Sequence, residues 1–292
     1  MASSLSSSNQ KVAVVTGSSS GNGFETSLLL AKNGFYTYAT MRNLDKSTRM
    51  KEVAKKDSLQ LEVLQLDVTD DKSVTDAIDM ISNRHGRIDV LVNNAGYDHN
   101  GAVEELSMEE IKTQFETNFF GAVRLMKAVI PIMRKQRSGI IVNLSSIGGL
   151  VGVPLNSAYV GSKFALEGFS ESMKYELEGF GIKVILIEPG AIKTNFVENS
   201  KQAQKAMNPD SPYAEFSKKV SEGVMEGFKQ TSSPMQVAEV ILAAIKSEKP
   251  NTRYLVGNDA VAIKERRKNS SDFELELWMR ESLLEQKGFV GK

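Results

Sequence analysis

Short apolar runs alternate along the chain with longer stretches in which apolar residues recur at helical spacing. The runs are Val12 to Val15, Thr37 to Ala39, Leu61 to Leu66, Val90 to Val92, Ile140 to Leu144, Val184 to Ile187 and Tyr254 to Val256. They are rich in β-branched residues and apolar throughout, so they predict strands buried on both faces. Phe24 to Asn33, Ser73 to His85, Met108 to Lys135, Ala158 to Gly179 and Met235 to Ser247 carry the helical pattern. Strands covered on both faces and separated by helices belong to parallel sheets, because every parallel return needs a long crossover. The expected architecture is α/β: a doubly wound parallel sheet of about seven strands with helices on both faces.

Two regions break the alternation. Ala191 to Ser233 is polar and helix-like, and Ile263 to Gln286 is a charged amphipathic tail with the sole tryptophan, Trp278. No Pro/Gly linker and no solenoid repeat divides the chain. The expected organisation is a flexible Ser-rich tail over residues 1–10, one catalytic domain over 11–258 with a substrate lid at 191–233, and a helical extension over 259–292.

Composition narrows the chemistry. The 292 residues include 36 basic and 36 acidic side chains, so no global field draws the protein to nucleic acid or to an anionic membrane. With no cysteine and only His85 and His99, thiol nucleophiles are excluded and no metal site is expected. No apolar run reaches the roughly 20 residues of a membrane span, and the N-terminus has no apolar leader pattern. A soluble cytoplasmic protein acting on a small molecule is the expectation.

After the first strand comes Thr16-Gly17-Ser18-Ser19-Ser20-Gly21-Asn22-Gly23, followed at once by a helical pattern. Glycines at that spacing permit a tight turn, close approach of backbone to a pyrophosphate, and close helix packing. The helix N-terminus adds N–H donors and partial positive charge. Ser19, Ser20 and Asn22 belong to the same loop. The second strand ends Tyr38-Ala39-Thr40-Met41-Arg42. An acid at that edge would bind the ribose 2′-hydroxyl of NAD; here Arg42, with Thr40 nearby, offers donors suited to the 2′-phosphate of NADP. NADP(H) is therefore the expected cofactor, with NAD(H) as the alternative.

Tyr159 and Lys163 stand four residues apart within a helical pattern, hence on one face. Tyrosine ordinarily titrates near pH ~10, and an adjacent cation lowers a pKa by roughly 1–3 units, which would make Tyr159 a usable acid or base. Ser145 and Ser146 follow the fifth strand, at the carboxyl end where open sheets bind ligands.

With these motifs the chain resembles the short-chain dehydrogenase/reductase family from about Lys11 to Gly257. Asp67-Val68, Asn93-Asn94-Ala95-Gly96, Asn118, Ser146, Tyr159-x-x-x-Lys163 and Pro189-Gly190 with Thr194 carry the resemblance beside the glycine loop. It implies a Rossmann-like fold and a catalytic set of Asn118, Ser146, Tyr159 and Lys163. Tyr159 would exchange a proton with the substrate oxygen, Ser146 would hydrogen-bond that oxygen, and Asn118 would hold a water linking Lys163 to solvent. The implied cofactor contacts are Gly17, Ser19, Ser20, Gly21, Asn22 and Gly23, Asp67 and Val68 at the adenine, Asn94, Ala95 and Gly96 at the ribose, Tyr159 and Lys163, Thr40 and Arg42 at the end of the second strand, and Pro189, Gly190, Ile192 and Thr194 at the carboxamide. Asn22 departs from the family's usual apolar residue. Asn93 and Asn94 have a structural alternative, bracing adjacent strands, and Ser145 is left to cap its loop.

Selectivity is expected in Tyr97 to Val103, Gly148 to Asn156 and Ala191 to Ser233. His99 reads as a surface-loop residue, and Leu150, Val151, Val153, Pro154 and Leu155 suggest an apolar mouth. Met207, Tyr213, Phe216, Val224, Met225 and Phe228 form a stripe suited either to covering a ligand or to ordinary packing. Strand two and the extension look most like the hydroxysteroid and retinol dehydrogenase-like branch, which points to a hydrophobic ketone, aldehyde or alcohol. A homodimer or homotetramer through the helices bearing Asn118 and Tyr159 is expected by resemblance, while the tail is open to docking on a neighbour or closing the pocket. A nucleotide-binding sensor or scaffold without turnover is the competing reading.

Overall fold

The computed structural model describes residues 10–194, 200–227 and 231–285; most of the N-terminal tail therefore lies outside the described residues. In chain order the elements are β1 (Val12–Val15), α1 (Gly21–Lys32), β2 (Tyr36–Met41), α2 (Thr48–Lys56), β3 (Leu61–Gln65), α3 (Asp71–His85), β4 (Val90–Asn93), β5 (His99–Asn100) and α4 (Met108–Phe115). There follow α5 (Gly121–Gln136), β6 (Gly139–Leu144), α6 (Ser157–Glu178), β7 (Ile182–Pro189), β8 (Lys201–Gln202), α7 (Ala214–Gly227), α8 (Pro234–Lys246), β9 (Arg253–Val256), α9 (Asn258–Asn269) and α10 (Asp272–Leu284). Seven strands form one parallel sheet in the order β3-β2-β1-β4-β6-β7-β9. The sheet is the doubly wound one expected, and its order reverses between β1 and β4, where such sheets open a ligand crevice.

Alternation along each strand builds two cores. Val12, Val14, Leu91, Ile141 and Val184 pack with α3, α5 and α6, whereas Ala13, Val15, Val92, Val142 and Ile185 pack with α1 and α8. Helix ends follow local rules: Asp70 accepts from the Ser73 N–H, Gly86 closes α3 in the left-handed region, and Ser233 with Gln236 forms a capping box before Pro234.

Three features differ from expectation. The pattern from Met108 to Lys135 is interrupted by a π-helical turn over Glu116–Phe120, centred on Asn118. The short helix α2, mostly charged but burying Met50 and Ala54 at helical spacing, and the two-residue pair β5·β8 are not among the expected elements. The tail docks on its own chain: Ile263 and Leu275 bury against Val151, with Leu150, Trp278 and Met279 at the margin. At Gly223 of α7 the backbone of Leu283 in α10 approaches so closely that any Cβ would collide. Val151 thus faces the extension and not the expected mouth. Met207 and Phe216 are exposed, and Tyr213 donates its hydroxyl to Glu104, 2.7 Å away. Phe228 and the Met225 side chain lie outside the described residues.

Candidate active site

The loop between β1 and α1 is held by contacts that explain its residue types. Gly17 and Gly21 have φ of 67° and 57°, left-handed conformations that favour glycine. A Cβ on Gly17 would come within 2.8 Å of the Ala95 backbone, and one on Gly23 would strike the Asn94 side chain and the Gly17 carbonyl. Asn94 donates its amide to the carbonyls of Thr16 (2.8 Å) and Gly17 (3.1 Å), and the N–H groups of Asn94 and Ala95 both donate to Thr16 Oγ1. Asn94 therefore braces the loop. Asn93 ties β4 to β6 through Asn143 Oδ1 at 2.8 Å, which is the structural alternative. Sequence reasoning missed Ser18, buried and linked to the Val15 carbonyl and to Ser27.

No side chain caps the start of α1: Ser20 is extended and exposed, with Ser19 half-buried beside it. Asn22 keeps a buried side-chain oxygen without a hydrogen-bond partner. An uncapped twelve-residue helix behind glycines that exclude any Cβ is a cradle that fits the diphosphate of a dinucleotide. At the end of β2 the two nominated residues separate. Thr40 is fully buried and its hydroxyl donates to the Val15 carbonyl at 3.1 Å, so it supports the loop from behind and does not face a phosphate, contrary to expectation. Arg42 is exposed at the sheet edge, with no ion pair among the described residues. Asp67 accepts from Thr69 N and Oγ1 at 2.9 and 2.7 Å, and buried Val68 lies against Gly121, where a Cβ would come within 2.7 Å.

The proton-handling residues collect at the ends of β4 and β6. Lys163 is 6% exposed and donates to the Leu144 carbonyl at 2.8 Å; its Nζ lies 5.6 Å from the centre of the Tyr159 ring. Burial pushes Lys163 down to about 8, against the charge of Glu167 one turn on. Burial pushes Tyr159 up, a hydrogen bond with Ser146 opposes this, and the Asp98 carboxylate adds to it. The lowering expected from Lys163 is therefore not the dominant effect in this site, because removing the phenolate from water costs more than the neighbouring groups return. Ser146 begins a short 3₁₀ turn and accepts from the Gly148 N–H at 3.0 Å, so it caps the loop, the part expected of Ser145. Ser145 is buried with its hydroxyl unpartnered.

The π turn puts Asn118, 2% exposed, against the segment after β4. Its Oδ1 accepts from Tyr97 N at 3.1 Å, and its Nδ2 donates to Tyr97 O at 3.0 Å and Ser162 Oγ at 3.3 Å. The carboxamide thus engages protein groups. His99 also differs from expectation: it is 5% exposed, with Nε2 3.4 Å from Glu110 Oε1. Backbone and side-chain donors from Ser107 hold the Glu110 carboxyl down at about 2.

Pro189 ends β7 and Gly190, Ile192 and Thr194 follow it, across from the glycine loop; a Cβ on Gly21 would lie 3.3 Å from the Thr194 methyl. This segment is pinned by a residue with no motif around it. Asp259, at the start of α9 and 5% exposed, accepts from the Ala191 N–H at 2.6 Å and fills the space beside Gly190 and Gly257.

Residues 11–205 match the family model for short chain dehydrogenase. Retinol dehydrogenase 8 of Bos taurus is 40% identical over 261 residues, covering 84% of this chain and 82% of the relative. Human 17-beta-hydroxysteroid dehydrogenase type 1 is 36% identical over 83% of this chain and 76% of its own length. Among solved structures, a short-chain dehydrogenase from Streptomyces avermitilis superposes with a TM-score of 0.80 at 34% identity, covering 94% of this chain and 98% of the other. An actinorhodin polyketide ketoreductase solved with NADPH gives 0.73 at 26%, covering 88% and 99%. The chain belongs to the short-chain dehydrogenase family, on its retinol and hydroxysteroid dehydrogenase-like branch. It is an NAD(P)-dependent oxidoreductase of alcohol and carbonyl groups.

Proposed function

We propose that the chain uses NADP(H) to interconvert a hydrophobic ketone or aldehyde with its alcohol, with Ser146, Tyr159, Lys163 and Asn118 as the working residues. The observation that carries this reading is the convergence of Tyr159, Ser146 and buried Lys163 at the carboxyl ends of the strands, beside the glycine cradle. When bound, the nicotinamide supplies or accepts the hydride. Ser146 Oγ holds the substrate oxygen, and Tyr159 donates its phenolic proton to that oxygen in reduction, or removes it in oxidation. Lys163 stands beside Tyr159 and steadies the charge left on the phenolate, while Asn118 ties the α4–α5 turn to Tyr97 behind the site.

Arg42 supports the preference for NADP(H): it is an exposed guanidinium at the end of β2, where NAD-binding sheets carry an acid. The ketoreductase solved with NADPH supports it too. Residues 189–194 would line the nicotinamide side, Asp67 and Val68 the adenine side, and Ala95 and Gly96 the ribose. By family resemblance the protein would work as a homodimer or homotetramer in the cytoplasm; among the described residues no helix is long and apolar enough to cross a membrane.

The test is fluorescence titration with NADPH and NADH, followed in the same cuvettes by a panel of hydrophobic ketones and aldehydes. Tighter NADPH binding and carbonyl-dependent oxidation are expected. Binding without turnover on any carbonyl would favour the sensor reading, and failure to bind either nucleotide would overturn both.

A further inference from the structure

One guanidinium binds together three segments that are distant in sequence. Arg124, in the first turn of α5 and with its side chain 21% exposed, sends a separate donor to each. Nη1 donates to the Val68 carbonyl at 2.7 Å, Nη2 to Glu116 Oε1 at 2.6 Å, and Nε to the Asp71 carboxylate at the start of α3. Asp71 is 87% exposed, so water screens that pair and it does little beyond steering the guanidinium. The bonds to Val68 and Glu116 are the ones that fix the chain.

Val68 follows Asp67, whose carboxylate is taken up within its own turn by Thr69, so the Val68 carbonyl takes its direction from α5. A second contact acts at the same place: the Cβ that Gly121 lacks would fall 2.7 Å from the Val68 side chain and 3.2 Å from its carbonyl oxygen. Glu116 opens the π turn, a geometry that is rare within helices and collects at functional sites. Arg124 reaches back eight residues to hold that first side chain. Two residues into the turn, Asn118 clasps both backbone groups of Tyr97, so a shift of the turn moves the segment after β4. A lysine meets one such acceptor and not the set, because its donors share a single nitrogen whereas the guanidinium spreads them in a plane.

We propose that Arg124 is a positioning residue for the reaction: it sets the Val68 backbone at the adenine end of the cofactor cleft and the Asn118 turn at the catalytic end, so that one side chain serves both binding and turnover. The inference rests on the oxidoreductase reading above. Arg124 acts through these two segments and not on the reacting atoms, and its two arms are separable, because removing Glu116 leaves the bond to Val68 in place.

The experiment measures binding of 2′,5′-ADP and of ADP by calorimetry, and kcat with NADPH and a saturating hydrophobic ketone, for the wild type, Arg124→Gln, Arg124→Lys and Glu116→Gln. Arg124→Gln should weaken the nucleotide that the wild type prefers by at least ~5-fold and lower kcat by at least ~10-fold, within what a charged hydrogen bond and a displacement of catalytic geometry each cost. Glu116→Gln should lower kcat while leaving nucleotide affinity within about twofold of wild type, and Arg124→Lys, which keeps the charge and loses the fork, should still show both losses. Wild-type affinity and kcat in Arg124→Gln with only Tm lowered, or full recovery of both in Arg124→Lys, makes Arg124 an ordinary brace and overturns this inference alone. So does a Glu116→Gln variant that loses affinity as much as Arg124→Gln does. If neither nucleotide binds the wild type, or NADPH binds and no ketone is reduced, the oxidoreductase reading falls and this inference with it. Should Arg124→Gln fail to fold, Glu116→Gln carries the test, and an unchanged kcat there overturns the proposal.

Discussion

Replacing Asp259 by alanine tests whether the extension holds the cofactor side of the site in place. The carboxylate accepts the Ala191 N–H at 2.6 Å and occupies the space that Gly190 and Gly257 leave open. Hydrogen bonds to charged groups contribute roughly 1.5–3 kcal/mol; because Ala191 is half-buried and water recovers part of the loss, about 2 kcal/mol is expected. At roughly 2–4 °C per kcal/mol for domains of this order of size, Tm should fall by ~4–8 °C. The freed segment runs through Ile192, whose backbone pairs with Ser232, to Thr194 beside Gly21, so cofactor KM should rise several-fold more than substrate KM. Thermal denaturation and a two-substrate kinetic matrix measure both effects, and Asp259→Asn, which keeps one acceptor oxygen and the volume, should lose less of each. A Tm within about a degree of wild type, together with unchanged cofactor KM, would refute the reasoning.

Other expectations follow from the assigned roles. Tyr159→Phe should bind cofactor normally yet lose at least ~100-fold in kcat, the scale of general acid–base catalysis; near-normal turnover would remove Tyr159 from its role. Arg42→Ala should weaken NADPH by ~10-fold or more while leaving NADH within about twofold, measured by fluorescence titration, and equal weakening of both would show that the guanidinium meets no phosphate. Glu188 is fully buried in β7, 3.2 Å from Arg253 and 3.7 Å from Lys264, and burial with the neighbouring charge of Glu167 pushes it up to about 7. An acid whose native pKa stands above its unfolded value binds more protons in the native state. Its contribution is thus greatest below about 4.5 and declines as pH rises to about 7. Urea midpoints at several pH values should show the wild type losing ground to Glu188→Gln across that window, and parallel profiles would contradict it.

Sequence determined the architecture of this protein because strand and helix periodicities are local properties, and seven apolar runs with helical crossovers admit little besides a doubly wound sheet. It also nominated the candidate site residues that belong to short motifs: the glycine loop, Ser146, Tyr159 with Lys163, and the segment at the end of β7. Side-chain direction is a different matter. Thr40 lies in β2 and Arg42 just beyond its end, yet Thr40 is buried under the loop and Arg42 is exposed. Ser146 and not Ser145 caps the loop for the same reason, since the turn at Gly148 brings its N–H to Ser146 Oγ while Ser145 is buried without a partner. Asn118 lies in a π turn that its helical pattern conceals, and His99 is buried by β8, an element too short to leave a signal. Asp98 and Asp259 matter through segments a hundred or more residues away and nearly seventy residues away, respectively. Only the folding of those distant segments onto one another, with the loss of water that accompanies it, buries two ordinary aspartates, one against Asn156 and Ser200 and one as a clamp on the Ala191 N–H.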